Sequence, residues 1–220
     1  VLQGNRFSIT VREIEADETD LDTRLALIGD AGVPNYFAEQ RFGRDAGNLH
    51  TAQQLFANPG RRMPRNRRSL ALSAARAFLF NQLLSRRVAA TTWNVPMEGD
   101  AMQLSGSHSY FIAGPIDAEL MTRVHNKDVH PTGPLHGRGE PPVQGACRQL
   151  EHDVLAGYPD WCAGLEAAGL KQDRRALRLM VQGLTWQKTG TADLLLKFSL
   201  PAGAYATSVL RELVLAAAPA

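Results

Sequence analysis

Cysteine is nearly absent: Cys147 and Cys162 are the only two in 220 residues. That is too few for a disulfide framework, and the expected state is two buried free thiols in a reducing compartment. No apolar run approaches the roughly 20 residues of a membrane span, and the residues from Val1 onward form neither a signal peptide nor a basic amphipathic targeting helix. A cytoplasmic protein with no membrane partner is the expectation. His125, His130, His136 and His152, taken with Cys147, fit no compact zinc spacing, so no metal is expected.

A more local absence is informative. The formal net charge is only +2, but residues 61–88 contain eight Arg and not one Asp or Glu, whereas residues 1–60 carry five basic against nine acidic residues and residues 89–220 eleven against thirteen. Arg61, Arg62, Arg65, Arg67 and Arg68 fall within eight positions. Guanidinium groups suit bidentate phosphate contacts and stacking on exposed bases, so the run reads either as a phosphate-tracking patch or as a solvated loop paired with the acidic N-terminal third.

Local patterns describe an α+β chain. Phe7, Ile9 and Val11 alternate with polar residues as in a half-buried strand. Residues 20–31 read as a helix with Asp20 or Asp22 at its start and Gly32 and Pro34 at its end. A second helix is expected over 48–57. A third should be capped by Ser69 and run to about Val88, with Leu72, Ala75, Leu79 and Leu83 on its apolar face. Short strands are expected over 94–110 and helices over 117–126, 160–168 and 171–182. The Pro/Gly-rich stretch 131–145 reads as a long ordered loop. Strands over 184–188 and 193–200 flank a Thr189-Gly190 turn, and a closing helix spans about 204–216.

The segment Gly32-Val33-Pro34-Asn35-Tyr36-Phe37-Ala38-Glu39-Gln40-Arg41-Phe42-Gly43 concentrates an amide, three rings, a carboxylate and a guanidinium behind a Gly/Pro turn. Such a loop can stack on a base while hydrogen-bonding its edge, which points to RNA; packing on its own core is the alternative. The segment resembles the PNYF-x-x-QRFG signature of the TruD family of pseudouridine synthases. Ser73-Ala74-Ala75-Arg76-Ala77-Phe78-Leu79-Phe80-Asn81 resembles that family's SAARS-x-LFN helix, and the run from Leu200 to Leu213 resembles its LPAGSFATSVVREL close.

The resemblance implies a pseudouridine-synthase-type catalytic domain with a mixed sheet, interrupted by a mostly helical TruD insertion. Residues 1–61 and 183–220 are then expected in the catalytic domain and 62–182 in the insertion. It also implies isomerisation of a uridine in tRNA, at position 13, without cofactor or metal. Asn35 corresponds to the amide near the catalytic aspartate, and Phe37 to a ring lining the uracil pocket. Tyr205 stands where the family usually has a base-stacking phenylalanine, and its hydroxyl can turn to solvent, backbone or substrate. Gln40 and Arg41 either brace the loop or touch RNA.

The family's catalytic aspartate lies in a G-x-K-D-[RK]-x-A-x-T-x-Q segment, and no such segment occurs between Val1 and Ala220. Residues 4–12 resemble a family strand that follows that segment. The chain is therefore expected to be the C-terminal part of a longer family member, inactive alone. A non-catalytic RNA-binding module using Arg61 to Arg68 and the Asn35–Phe37 loop is the alternative.

Overall fold

A computed structural model describes residues 4–190 and 192–213. In chain order the elements are β1 (Gly4–Val11), α1 (Glu18–Ala31), β2 (Val33–Pro34), α2 (Glu39–Phe42), a 3-10 turn (Arg44–Ala46), α3 (Gly47–Ala57), α4 (Arg65–Ala89), β3 (Ala101–Leu104), β4 (Tyr110–Ile112), α5 (Ala118–His125), β5 (Val129–Leu135), α6 (Gly145–Leu155), α7 (Pro159–Ala167), β6 (Asp173–Ala176), β7 (Arg178–Leu179), β8 (Gln182–Lys188), β9 (Leu194–Pro201) and α8 (Ala206–Leu213). The chain divides into two compact units, Val1–Asn35 with Leu179–Ala220 and Tyr36–Arg178.

The first unit is built on an antiparallel sheet in the order β1-β9-β8, with Phe7 opposite Phe198 and Ile9 opposite Leu196. Alternation along β9 sends Leu194, Leu196, Phe198 and Leu200 to one buried face, where they meet Leu21, Leu25 and Ile28 of α1 and Val209 of α8. The Phe7 and Phe198 rings stack at 5.4 Å. The Asp17 carboxylate, rather than Asp20 or Asp22, caps α1 by accepting from the Thr19 and Asp20 amides. Asp17 is the residue with extended backbone there, which is what lets a side chain fold back onto the first turn. Gly32 ends the helix at φ 74°, and a Cβ there would lie 2.5 Å from the Leu179 carbonyl oxygen, so only glycine fits.

The second unit pairs an antiparallel sheet, in the order β4-β3-β5-β6, with the long helix α4. Leu72, Ala75 and Leu79 pack with α3 and α7, while Phe80 and Leu84 share a core with Tyr36 and Leu177. Gly133 of β5 admits α4 closely; a Cβ there would meet Phe80, Leu83 and Leu177 at about 3 Å. A further cluster gathers Met102, Leu120, Val124 and Val129 between α5 and the sheet.

Several elements differ from the sequence expectation. α4 starts at Arg65 instead of Ser69, so Arg65, Arg67 and Arg68 are helical rather than part of a loop. Pro64 supplies the fixed φ from which a helix can start, and arginine is a good helix former. The first third of the stretch 131–145 belongs to β5 and is not loop. Residues 129–131 pair with β3 and residues 132–135 with β6. Each half thus has its own ladder partner, and a strand paired in this staggered way accommodates Pro131 and Pro134. The expected helix over 171–182 is β6, β7 and the start of β8. Within this stretch Arg174 and Arg178 are buried by side-chain pairing. Helix α6 begins where the expected loop ends, at a position for which the sequence reading set no element.

The compact units part at Asn35/Tyr36 and Arg178/Leu179, whereas the composition shift lies near residue 61. That shift falls between α3 and α4, which pack on each other through Leu55, Ala52, Ala71 and Leu72. The closing helix is described to Leu213, and its expected continuation to 216 lies outside the described residues.

Candidate functional site

The loop from Tyr36 onward, in the second unit, is held by α4. Phe37 donates its N–H to Asn81 Oδ1 at 2.9 Å, and Asn81 Nδ2 donates to the Phe37 carbonyl at 2.8 Å. The Phe37 ring meets Phe80 edge to face, at 5.4 Å and 82°. Two guanidinium groups approach the same ring, Arg175 at 4.1 Å from its centroid and Arg41 at 5.5 Å. Arg41 also donates to Ser73 Oγ at 2.9 Å, and Tyr36 Oη pairs with Ser85 Oγ at 3.2 Å. Ser73, Phe80, Asn81 and Ser85 recur at helical spacing along α4, so one helix organises the second unit's share of the loop.

The expected site residues distribute as follows. Phe37 and Arg41 are half-buried and Gln40 is exposed, all three in the second unit. Asn35 is buried after β2, and Tyr205 is half-buried just before α8; both lie in the first unit. Arg61, Arg62, Arg65 and Arg67 are exposed and Arg68 is half-buried. Arg61 Nη1 donates to Gln54 Oε1 at 2.8 Å. Among the described residues none of the five arginines forms an ion pair.

Sequence inspection missed Asn81 and Arg175. Asn81 was visible as a polar residue closing an apolar helical run, but its partner depends on how the loop returns to α4. Nothing local distinguishes Arg175 from its neighbour Arg174. Arg174 forks onto Glu151 at 2.7 and 3.0 Å, donates through Nε to Thr132 Oγ1 at 2.9 Å, and is buried in doing so. Arg87 forks in the same way onto Asp100, at 3.1 and 3.0 Å, with both side chains enclosed. These pairs brace the unit; removing one partner from such a buried pair costs about 3–5 kcal/mol.

The two thiols and His130 carry no reactive signature. Burial, with the Asp100 and Glu151 carboxylates, pushes the Cys147 thiol far up, and burial beside Glu166 pushes Cys162 up to about 11. Neither supplies a thiolate near neutrality. Burial, and then the Arg178 charge, lowers His130 to about 4. Its Nδ1 accepts from Arg178 Nε at 2.8 Å, which leaves Nε2 to face Ser105 Oγ at 2.8 Å. No cluster of three or more His, Cys, Asp or Glu that could hold a metal ion occurs among the described residues.

The chain matches the family model of tRNA pseudouridine synthase D (TruD) over residues 1–58 and 48–213. It belongs to the TruD family. It is 52% identical over 216 residues to tRNA pseudouridine synthase D of Nitrosococcus oceani, covering 97% of this chain and 60% of that protein. Against the Hydrogenovibrio crunogenus protein of the same name it is 48% identical over 212 residues, covering 96% and 61%. A crystal structure of a Methanosarcina mazei protein, described as a candidate tRNA pseudouridine synthase D, superposes with a TM-score of 0.71 at 21% identity. That match covers 96% of this chain and 69% of the other, and shows the fold. The chain thus spans about 60% of the length of the curated relatives it matches.

Proposed function

We propose that this chain is the tRNA-gripping and uracil-holding part of a pseudouridine synthase that isomerises a uridine of tRNA, at position 13. The observation that carries the reading is the half-buried Phe37 ring, fixed by α4 and flanked by guanidinium groups, inside the sequence run that marks the family. Isomerisation of uridine breaks the bond from the ribose C1′ to N1 of the base, turns the freed uracil, and rejoins it through C5. The target nucleotide must leave the stack for this to occur, and the detached base must be retained while it turns. Stacking on a ring contributes about 1–3 kcal/mol per base and tolerates rotation in the ring plane, which fits that task.

Phe37, which the family match sets in the wall of the uracil pocket, is accordingly a stacking ring. Asn35 keeps the place beside the catalytic aspartate, and Tyr205 the base-stacking position, that the family match gives them, and Gln40 and Arg41 border the loop. Arg61, Arg62, Arg65, Arg67 and Arg68 grip phosphates, and no cofactor or metal takes part. The family insertion lies within Tyr36–Arg178, while the flanking segments belong to the catalytic domain. The nucleophilic aspartate segment does not occur between Val1 and Ala220, so these residues bind without turnover. Incubating the chain with unmodified tRNA tests both halves of this reading. Binding should be measurable, and carbodiimide probing should reveal no pseudouridine. Turnover by these 220 residues would overturn the inactivity, and absence of binding would overturn the tRNA role.

A further inference from the structure

Asn81 has no role in the chemistry above, yet its amide meets Phe37 twice. Oδ1 accepts the Phe37 N–H at 2.9 Å, and Nδ2 donates to the Phe37 carbonyl at 2.8 Å. This is the pairing that a neighbouring strand would offer, delivered by one side chain. It spans the two soft dihedrals of Phe37 and so fixes the direction in which Cβ leaves the backbone. The ring is held separately, by the edge of Phe80 at 5.4 Å and by Arg175 at 4.1 Å over its face.

Such a hold is more than packing requires. Phe37 sits in the irregular segment between β2 and α2, where the described structure gives it no strand ladder or helix of its own. Removing Asn81 would take away a partner from both the N–H and the carbonyl of Phe37 and loosen the backbone at that point. A ring that must meet a flat ligand in one orientation gains affinity when that orientation is set before binding.

We infer that Asn81 is a positioning residue: it locks the Phe37 main chain so that the ring is presented in one orientation to the uracil base. The inference rests on the reading of Phe37 as a stacking ring. Both functions of the amide are needed. Asn81→Asp keeps an acceptor for the Phe37 N–H but sets an oxygen against the Phe37 carbonyl, and Asn81→Ala removes both partners.

The test compares the binding of the 220-residue chain to two ligands, unmodified tRNA and the same tRNA with an abasic nucleotide in place of uridine 13. The wild-type chain should prefer the uridine form roughly tenfold or more, the range one stacked base supplies. In Asn81→Ala and Asn81→Asp this preference should fall to near unity, while affinity for the abasic tRNA and its salt dependence stay at wild-type values. Asn81→Asp, nearly identical in shape, carries the test if Asn81→Ala does not fold. A preference kept at the wild-type ratio in the variants, with or without a parallel loss of both affinities, would overturn the inference. A wild-type chain without any preference would instead overturn the reading of Phe37 itself, and the positioning role with it.

Discussion

His130 illustrates what burial does to a single side chain. It lies in β5 with Nδ1 accepting from Arg178 and Nε2 against Ser105, whose hydroxyl also pairs with the Lys127 carbonyl. Every ring nitrogen therefore has a neutral-state partner, and burial together with Arg178 lowers the group from 6.5 to about 4. The unfolded chain takes up its proton near pH 6.5 and the folded chain only near 4. Unfolding therefore consumes a proton in that window, and stability is intact above pH 6.5 and declines as the pH falls through it. Thermal melts between pH 7 and 4 should register a loss on the order of 2 kcal/mol from this residue, and His130→Gln should flatten that slope. An unchanged slope in the variant would assign the acid sensitivity elsewhere. None of this was visible in sequence, where His130 was only one of several scattered histidines.

At the scale of elements, α4 does most of the organising. Its 25 residues carry core contacts to α3, α7 and β5, the side chains that hold the Phe37 loop, and, in its first turn, three of the five clustered arginines. The apolar spacing of this helix was legible because 3.6-residue periodicity is local. Its true start was not, because Ser69 offers an N-cap side chain whereas the helix begins four residues earlier, after Pro64. If the arginines contact phosphate, the logarithm of tRNA affinity should fall linearly with the logarithm of salt concentration. Each arginine replaced by alanine should reduce the magnitude of that slope by about one. A flat salt response of the wild-type chain would remove the run from the RNA interface. β5 teaches the opposite lesson. Its Val-His-Pro-Thr-Gly-Pro-Leu sequence argues against a strand, yet it is buried and paired along both halves, because Gly133 lets α4 approach and each half finds a separate partner.

At the scale of the whole molecule, the second unit is made from one continuous stretch, and its core clusters draw only on residues 36–178. A polypeptide of residues 36–178 should therefore fold alone and melt cooperatively. A broad, non-cooperative transition with exposed apolar surface would indicate that its core is incomplete. The first unit is assembled from two segments far apart in sequence, through β1 and β9. The three motif runs, the excess of arginine over residues 61–88 and the period-two strands at both ends were determined by sequence alone, since each rests on residue identity or on spacing within a few positions. Those features were enough to place the chain in its family and to select Asn35, Phe37 and Tyr205. Tertiary structure decided the rest: that residues 131–135 and 173–176 are paired strands, that Arg87 and Arg174 are buried on carboxylates, and that Asn81 takes both peptide groups of Phe37. Each of these depends on a partner distant along the chain, which for Asn81 is 44 residues away, and no local pattern records where such a partner will fall.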